Sequence, residues 1–411
     1  MRIAIVTANM RVAGGVERYL DAVIPALAGA GHALAILAER EGPRDRPRIA
    51  APAAVEAWSV ADHGAGRALE ALAAWRPELI YAHGLEDAAV EARAMATAPA
   101  VAFAHDYRAT CISGAKSFAR PGPAPCMRVF GAGCLVEFYP RRCGGLNPYT
   151  MIRDYRAHAA RLELRRRFRM VLTASQYMRR EYLRHGFASA MVRCVGLPIA
   201  DGPRAIGASR GAGNAIDSGG PARLLFAGRM EPAKGGPLMF DAMPLAATAL
   251  GRPLTLTCAG DGRERAQWQS HAAGVTRAHP QVQIEFTGWI GDGALASLID
   301  AADLLIVPSV WPEPFGLIGA EAALRGLPAA AFAVGGIPEW LANGVNGWLA
   351  PGDEPTAAGL AVAIAKCLRD PREHARLRRG AIAEARRFAP ALHLAALTAV
   401  FDEVAGADSR T

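Results

Sequence analysis

No apolar run in this 411-residue chain reaches the ~20 residues that a membrane-spanning helix needs. The opening "MRIAIVTANM" has too short an apolar core for a secretory signal and reads as a buried strand. Cysteine is sparse. Seven thiols, an odd number, do not suggest a disulfide framework, and their spacing never gives the C-x2-C pair of a zinc site. These absences make the cytoplasm the expected location. A complete G-x-G-x-x-G is missing, which argues against a dinucleotide cofactor. No helix-turn-helix, zinc-finger or aromatic RNA-binding signature supports a nucleic-acid partner. No Asp-x-Asp stands at the end of a suitable strand-like run, so no metal clamp and no cofactor is expected.

Half of the residues are hydrophobic and a fifth are charged, as in folded globular chains. The length is too great for one ordinary core and predicts two domains. The net charge of +8 is uneven. Residues 101–200 hold 17 Lys or Arg against 5 Asp or Glu, which leaves the rest of the chain acidic. Part of this basic region, "RLELRRRFRM" at 161–170, has a helical pattern. It is either a solvated helix face or a surface that attracts phosphates, such as lipid headgroups or a lipid-linked diphosphate acceptor. An anionic membrane is thus a candidate peripheral contact.

Short apolar runs alternate with amphipathic stretches from end to end. "RIAIVTA" (2–8), "HALAILA" (32–38), "ELIYAH" (78–83), "AVAFAH" (100–105) and "MVLTAS" (170–175) are strand-like. Most are apolar on both faces, which suits parallel sheets covered by helices on both sides. The Gly- and Ser-rich stretch at 201–222 breaks the rhythm and reads as a linker. The alternation then restarts with runs at 223–228, 254–260, 282–288, 303–309 and 328–334. The expectation is an α/β chain with two Rossmann-like, doubly wound domains, 1–200 and 223–389, facing a central cleft that holds the ligand.

The loops after these strands carry the chemistry. Gly14-Gly15 precede a helix and form either a tight turn or a place where backbone N–H groups meet an anion. Gly260 and Gly262 in "CAGDGRERA" read as a tight turn. Arg229 and Lys234 in "FAGRMEPAKGG" lie just past a strand, where they are either a fork and a point charge for a diphosphate or two surface cations. In "SVWPEPFGLIGAEAALRG", Pro312 and Pro314 block helix formation, so a helix can begin near Gly316. The N–H groups of Phe315, Gly316, Leu317 and Ile318 would then form an anion site. Glu313 lies in its mouth and Glu321 more than a turn deeper, ~12 Å away at the helical rise. That is too far for the paired carboxyls of a retaining glycosidase. Two depths suit two hydroxyl-rich parts of one ligand, unless both carboxylates merely solvate the loop and cap the helix.

"AGRMEPAKGG", "EPFGLIGAE" and "GGIPEWLANGVNGWLAPGD" together resemble glycosyltransferase family 4, the retaining, nucleotide-sugar-dependent enzymes of GT-B fold. Glu313 and Glu321 match the family's E-x7-E signature. The resemblance implies that Arg229 and Lys234 hold the diphosphate of the sugar donor and that Glu313 contacts the transferred sugar. It places Glu321 on the ribose, the amides of 315–318 on phosphate and sugar, and Gly14 and Gly15 in a loop facing the diphosphate. It also brings the helical segment 390–411 back onto the first domain. "FAHDYRATC" resembles a stretch of one subgroup in which a histidine, here His105, contacts the donor sugar; the other reading is a core histidine. His83 reads as a capping or packing residue. Cys111, Cys126, Cys134 and Cys143 fall where the subgroup carries a cysteine-rich insert. They are either free thiols or a structural zinc or disulfide clip.

The expected function is a retaining, hexosyltransferase-type glycosyltransferase. It would move sugar from a nucleotide diphosphate sugar to a hydroxyl acceptor, lipid-linked or soluble, in glycan, polysaccharide or glycolipid synthesis. The alternatives are a sugar-nucleotide epimerase or hydrolase on the same fold, or a glycosyltransferase-like protein that only binds.

Overall fold

The computed structural model describes residues 1–12, 14–122, 124–199 and 220–408. The chain divides into two compact units. One comprises 1–116, 128–198 and 390–411; the other comprises 117–127 and 199–389. Of the segment expected as a linker, 201–219 lie outside the described residues, and Ala222 already begins a strand.

The first unit is built on seven parallel strands: β1 (Arg2–Asn9), β2 (Ala33–Arg40), β3 (Glu56–Ser59), β4 (Leu79–Ala82), β5 (Ala100–Ala104), β6 (Met170–Thr173) and β7 (Val192–Cys194). Their order is β3-β2-β1-β4-β5-β6-β7. Every residue of β4, β5 and β6 is buried, because helices cover both faces of a parallel sheet. Helix Pro390–Asp408 packs in this unit against helix Gly15–Gly29 and against β4 and β5.

The second unit has six parallel strands: β8 (Ala222–Ala227), β9 (Leu254–Ala259), β10 (Val282–Gly288), β11 (Leu304–Val307), β12 (Ala329–Phe332) and β13 (Gly347–Ala350). Their order is β10-β9-β8-β11-β12-β13. The chain winds outward from β8 to β10 and then crosses back to β11. The loops after β8 and β11 therefore emerge side by side at the carboxyl edge, the topological switch point where such sheets hold ligands.

One stretch, Pro371–Ala407, is long and apolar enough by length and composition to cross a membrane. It is two helices, Pro371–Ala385 and Pro390–Asp408, joined by a 3-10 turn. Ala389 between them is non-helical (ψ 137°), as a residue before proline prefers to be. The basic helix expected in the first unit is Pro148–Arg166, but its arginines are not all on a solvated face. Arg161 and Arg165 are buried and both reach Glu91 at 3.2 Å.

Candidate functional site

Glu313 and Lys234 are brought together in the second unit. Lys234 ends a 3-10 turn, Pro232–Lys234, in the loop after β8. Glu313 sits in the loop after β11. Two backbone features lock the loops to each other. Val310 N–H donates to the Ala233 carbonyl at 2.9 Å. Gly235, at φ +67°, lies so close to Pro308 that a Cβ there would stand 2.0 Å from the carbonyl oxygen. The Lys234 Nζ then reaches Glu313 Oε1 at 2.5 Å, and Ser309 Oγ donates to the same oxygen at 2.6 Å. Glu313 is 6 % exposed. Burial alone would push its carboxyl up, but Lys234, Ser309 and Trp311 outweigh it and hold Glu313 ionised below the usual carboxylate range. The glutamate expected in an open helix mouth is thus buried and already paired with the expected phosphate-binding lysine.

A third loop fixes the backbone behind it. Gly336 N–H donates to the Glu313 carbonyl at 2.7 Å, and a Cβ on Gly335 would fall 2.2 Å from that oxygen. The helix after Glu313 is Leu317–Leu324, with Gly316 at its N-cap (φ +88°) and no side chain closing it. Trp340 packs under Gly319 and donates to the Phe315 carbonyl at 2.7 Å, which holds the mouth of this helix in place. Glu321 is half-buried in the second turn of the helix. Arg229 is 73 % exposed and pairs with Glu231 at 3.1 Å. Its loop is backed by the 258–262 turn. There Gly260 and Gly262 touch the backbone of Gly228 and Met230 so closely that no side chain fits, so the tight-turn reading stands as a packing requirement.

In the first unit His105 directly follows β5, and its Nε2 lies 2.9 Å from His83 Nδ1. His83, read from the sequence as a capping or packing residue, is 8 % exposed and packs against Tyr19, Tyr81 and Phe103. Beside them Tyr19 contacts Tyr81 (2.5 Å) and His393 Nε2 (2.9 Å) through its hydroxyl. The Gly196 carbonyl can only accept, so His393 donates from Nδ1 at 2.6 Å. The neutral ring then accepts from Tyr19 at Nε2. Gly14 caps helix Gly15–Gly29, and Glu17, buried in the first turn, takes a hydrogen bond from Asn9 at 2.9 Å. A carboxylate therefore already stands at the positive end of the helix expected to face an anion.

None of the seven cysteines is in a disulfide. Cys111 accepts from the Lys116 amide at 3.3 Å, while Cys134 and Cys143 contact the carbonyls of Val129 and Glu137. With these thiols on nearby backbone, the four cysteines at 111–143 are not joined as a disulfide clip. Among the described residues no group of three or more His, Cys, Asp or Glu is placed to hold a metal.

The histidine cluster sets a pH dependence. Burial, with Arg165 and His393 nearby, lowers the His105 ring to about 3. Burial lowers His393 to about 4 and takes His83 down as well. The unfolded chain protonates these rings near 6.5, so below that pH it binds more protons than the fold does. Stability is fully present above pH 6.5 and is lost as pH falls toward the folded values, by on the order of 2 kcal/mol at pH 5 for each of His105 and His393. Urea unfolding at pH 7.5 and 5 measures this; equal midpoints would show that the rings are protonated in the fold.

Two family models run through the chain: "Glycosyltransferase Family 4" over residues 13–199 and "Glycosyl transferases group 1" over 215–384. A glycogen synthase of Mycobacterium tuberculosis is 39 % identical over 157 residues, which cover 37 % of this chain and 35 % of that protein. A D-inositol 3-phosphate glycosyltransferase of Thermobispora bispora is 33 % identical over 187 residues, 44 % of this chain and 42 % of that protein. The matches thus span well under half the length of these curated relatives. The crystal structure of Anabaena Alr3699/HepE in complex with UDP has the same fold, with a TM-score of 0.66 at 19 % identity over 98 % of this chain and all of that one. With two doubly wound parallel sheets and a family match on each, the chain belongs to glycosyltransferase family 4, with the GT-B fold.

Proposed function

We propose that the chain is a retaining glycosyltransferase that moves a sugar from a nucleotide diphosphate sugar to a hydroxyl acceptor in the cytoplasm. The observation that carries this reading is the Lys234–Glu313 pair beside the uncapped N-terminus of helix Leu317–Leu324. Relatives named as glycogen synthase and inositol phosphate glycosyltransferase, and a fold neighbour crystallised with UDP, support it. Seven cysteines with no disulfide among them suit a reducing compartment.

In this reading the acceptor oxygen bonds to the anomeric carbon as the bond from that carbon to the diphosphate oxygen breaks. The diphosphate leaves with the electron pair, and its oxygen takes the acceptor proton. Negative charge grows on the diphosphate, so fixed positive groups lower the barrier. Lys234, Arg229 and the N–H groups at 315–318 supply them without a metal ion or other cofactor. Glu313 faces the sugar and Glu321 the ribose.

Steady-state kinetics against donor concentration test this assignment. Glu313→Gln should lower kcat, because contacts to the sugar that tighten in the transition state are lost. Glu321→Gln should mainly raise the donor KM, because ribose contacts are the same in ground and transition states. Wild-type kcat and KM in both variants would make the loop purely structural.

A further inference from the structure

We infer that residues 129–156 of the first unit form a docking face for an anionic lipid bilayer. Large exposed apolar side chains concentrate there. Val129, Val136, Leu146, Tyr149 and Ile152 are between 46 and 75 % exposed, five of eleven such side chains among the described residues. A patch of this kind on a folded chain marks an interaction surface. Its elements are contiguous, since the short helix Gly133–Glu137 packs against helix Pro148–Arg166. On the second helix Tyr149, Ile152, Arg153 and Arg156 follow at i, i+3, i+4 and i+7, which places them on one exposed face.

Charge decides the occupant. Residues 128–156 hold five arginines and only two carboxylates, Glu137 and Asp154. Glu137 already pairs with Arg128 and Arg141, and Asp154 with Arg153. Arg142 and Arg156 are exposed. Apolar tips and a tyrosine set among guanidinium groups match the boundary between acyl chains and acidic headgroups. A second copy of the chain fits less well, because a two-fold interface would set this basic face against itself. The face ends before Arg161 and Arg165, which turn inward to Glu91. The basic excess of the region as a whole is therefore not the surface; the apolar and basic stretch before it is.

Co-sedimentation of the full chain with vesicles tests this. The wild type should bind phosphatidylcholine vesicles doped with phosphatidylglycerol and not pure phosphatidylcholine. Arg153→Glu with Arg156→Glu should weaken partitioning on the order of 10-fold or more. Leu146→Ser with Tyr149→Ser and Ile152→Ser should weaken it comparably, through lost insertion rather than lost charge. Far-ultraviolet circular dichroism and the thermal midpoint should stay at wild-type values. Equal binding to neutral vesicles, no binding to anionic ones, or wild-type binding by the serine variant would each overturn the proposal. So would a dimer that the serine variant dissociates while vesicle binding is unchanged, since the face would then belong to a second copy.

Discussion

Alanine in place of Lys234 should cut sugar transfer by ~10²–10³-fold, the usual cost of removing one preorganised charge donor from a developing anion. The structure adds a second consequence. Lys234 is the cation paired with Glu313, at 2.5 Å, and burial pushes that carboxyl up once the lysine is gone. The single variant should therefore lose some stability as well as activity, because it leaves a buried carboxylate without its partner. Adding Glu313→Gln separates the effects. The double variant should regain thermal stability, since a neutral amide no longer needs a cation, and should stay inactive. Measuring kcat/KM and the melting temperature of the three proteins decides the matter. Activity restored in the double variant would mean that Lys234 serves only to neutralise Glu313.

The largest stability effect should come from Lys116→Met. Lys116 and Glu181 are each 1 % exposed and form an ion pair. The ion pair ties the loop after β5 to helix Gln176–Arg184, and the Lys116 Nζ also donates to the carbonyl of Arg128 at 2.5 Å. Breaking a buried pair by removing one member costs ~3–5 kcal/mol, a large share of the 5–15 kcal/mol that holds a typical domain folded. Arg184 and His185 also face Glu181, which puts the expected loss near the lower end, about 3 kcal/mol. Pairing Lys116→Met with Glu181→Leu should recover most of it, because an apolar pair of similar volume needs no partner charge. Denaturant midpoints read both values. A single variant within ~0.5 kcal/mol of wild type would place water, rather than protein, around the lysine.

The strands that the sequence announced and those it hid differ in one physical respect. Runs such as "ELIYAH" and "DLLIVPS" are central in their sheets and buried on both faces, so they are unbroken apolar stretches. Within the two large sheets, the three strands without a readable run, β3, β7 and β13, are all at sheet edges. They are three or four residues long and partly exposed, which leaves no local pattern to detect. The edge strand β10 was read because it is seven residues long. His83 packs against Tyr19, Tyr81 and Phe103, as a strand-end packing residue would, but its hydrogen bond to His105 is not legible locally, because that partner lies 22 residues away, just past β5.

The sequence by itself determined the alternation of strands and helices, and which loops carry cations, glutamates and glycines next to a helix start. These are local properties, written in the apolar period and in the φ preferences of Gly and Pro. Only the tertiary structure decided the partners. Lys234 meets Glu313 across 79 residues, Arg161 meets Glu91 across 70, and Tyr19 meets His393 across 374. Each meeting depends on which strands are neighbours and how far each loop reaches. Strand order is set by burying every apolar face at once, a property of the whole chain that no short stretch contains.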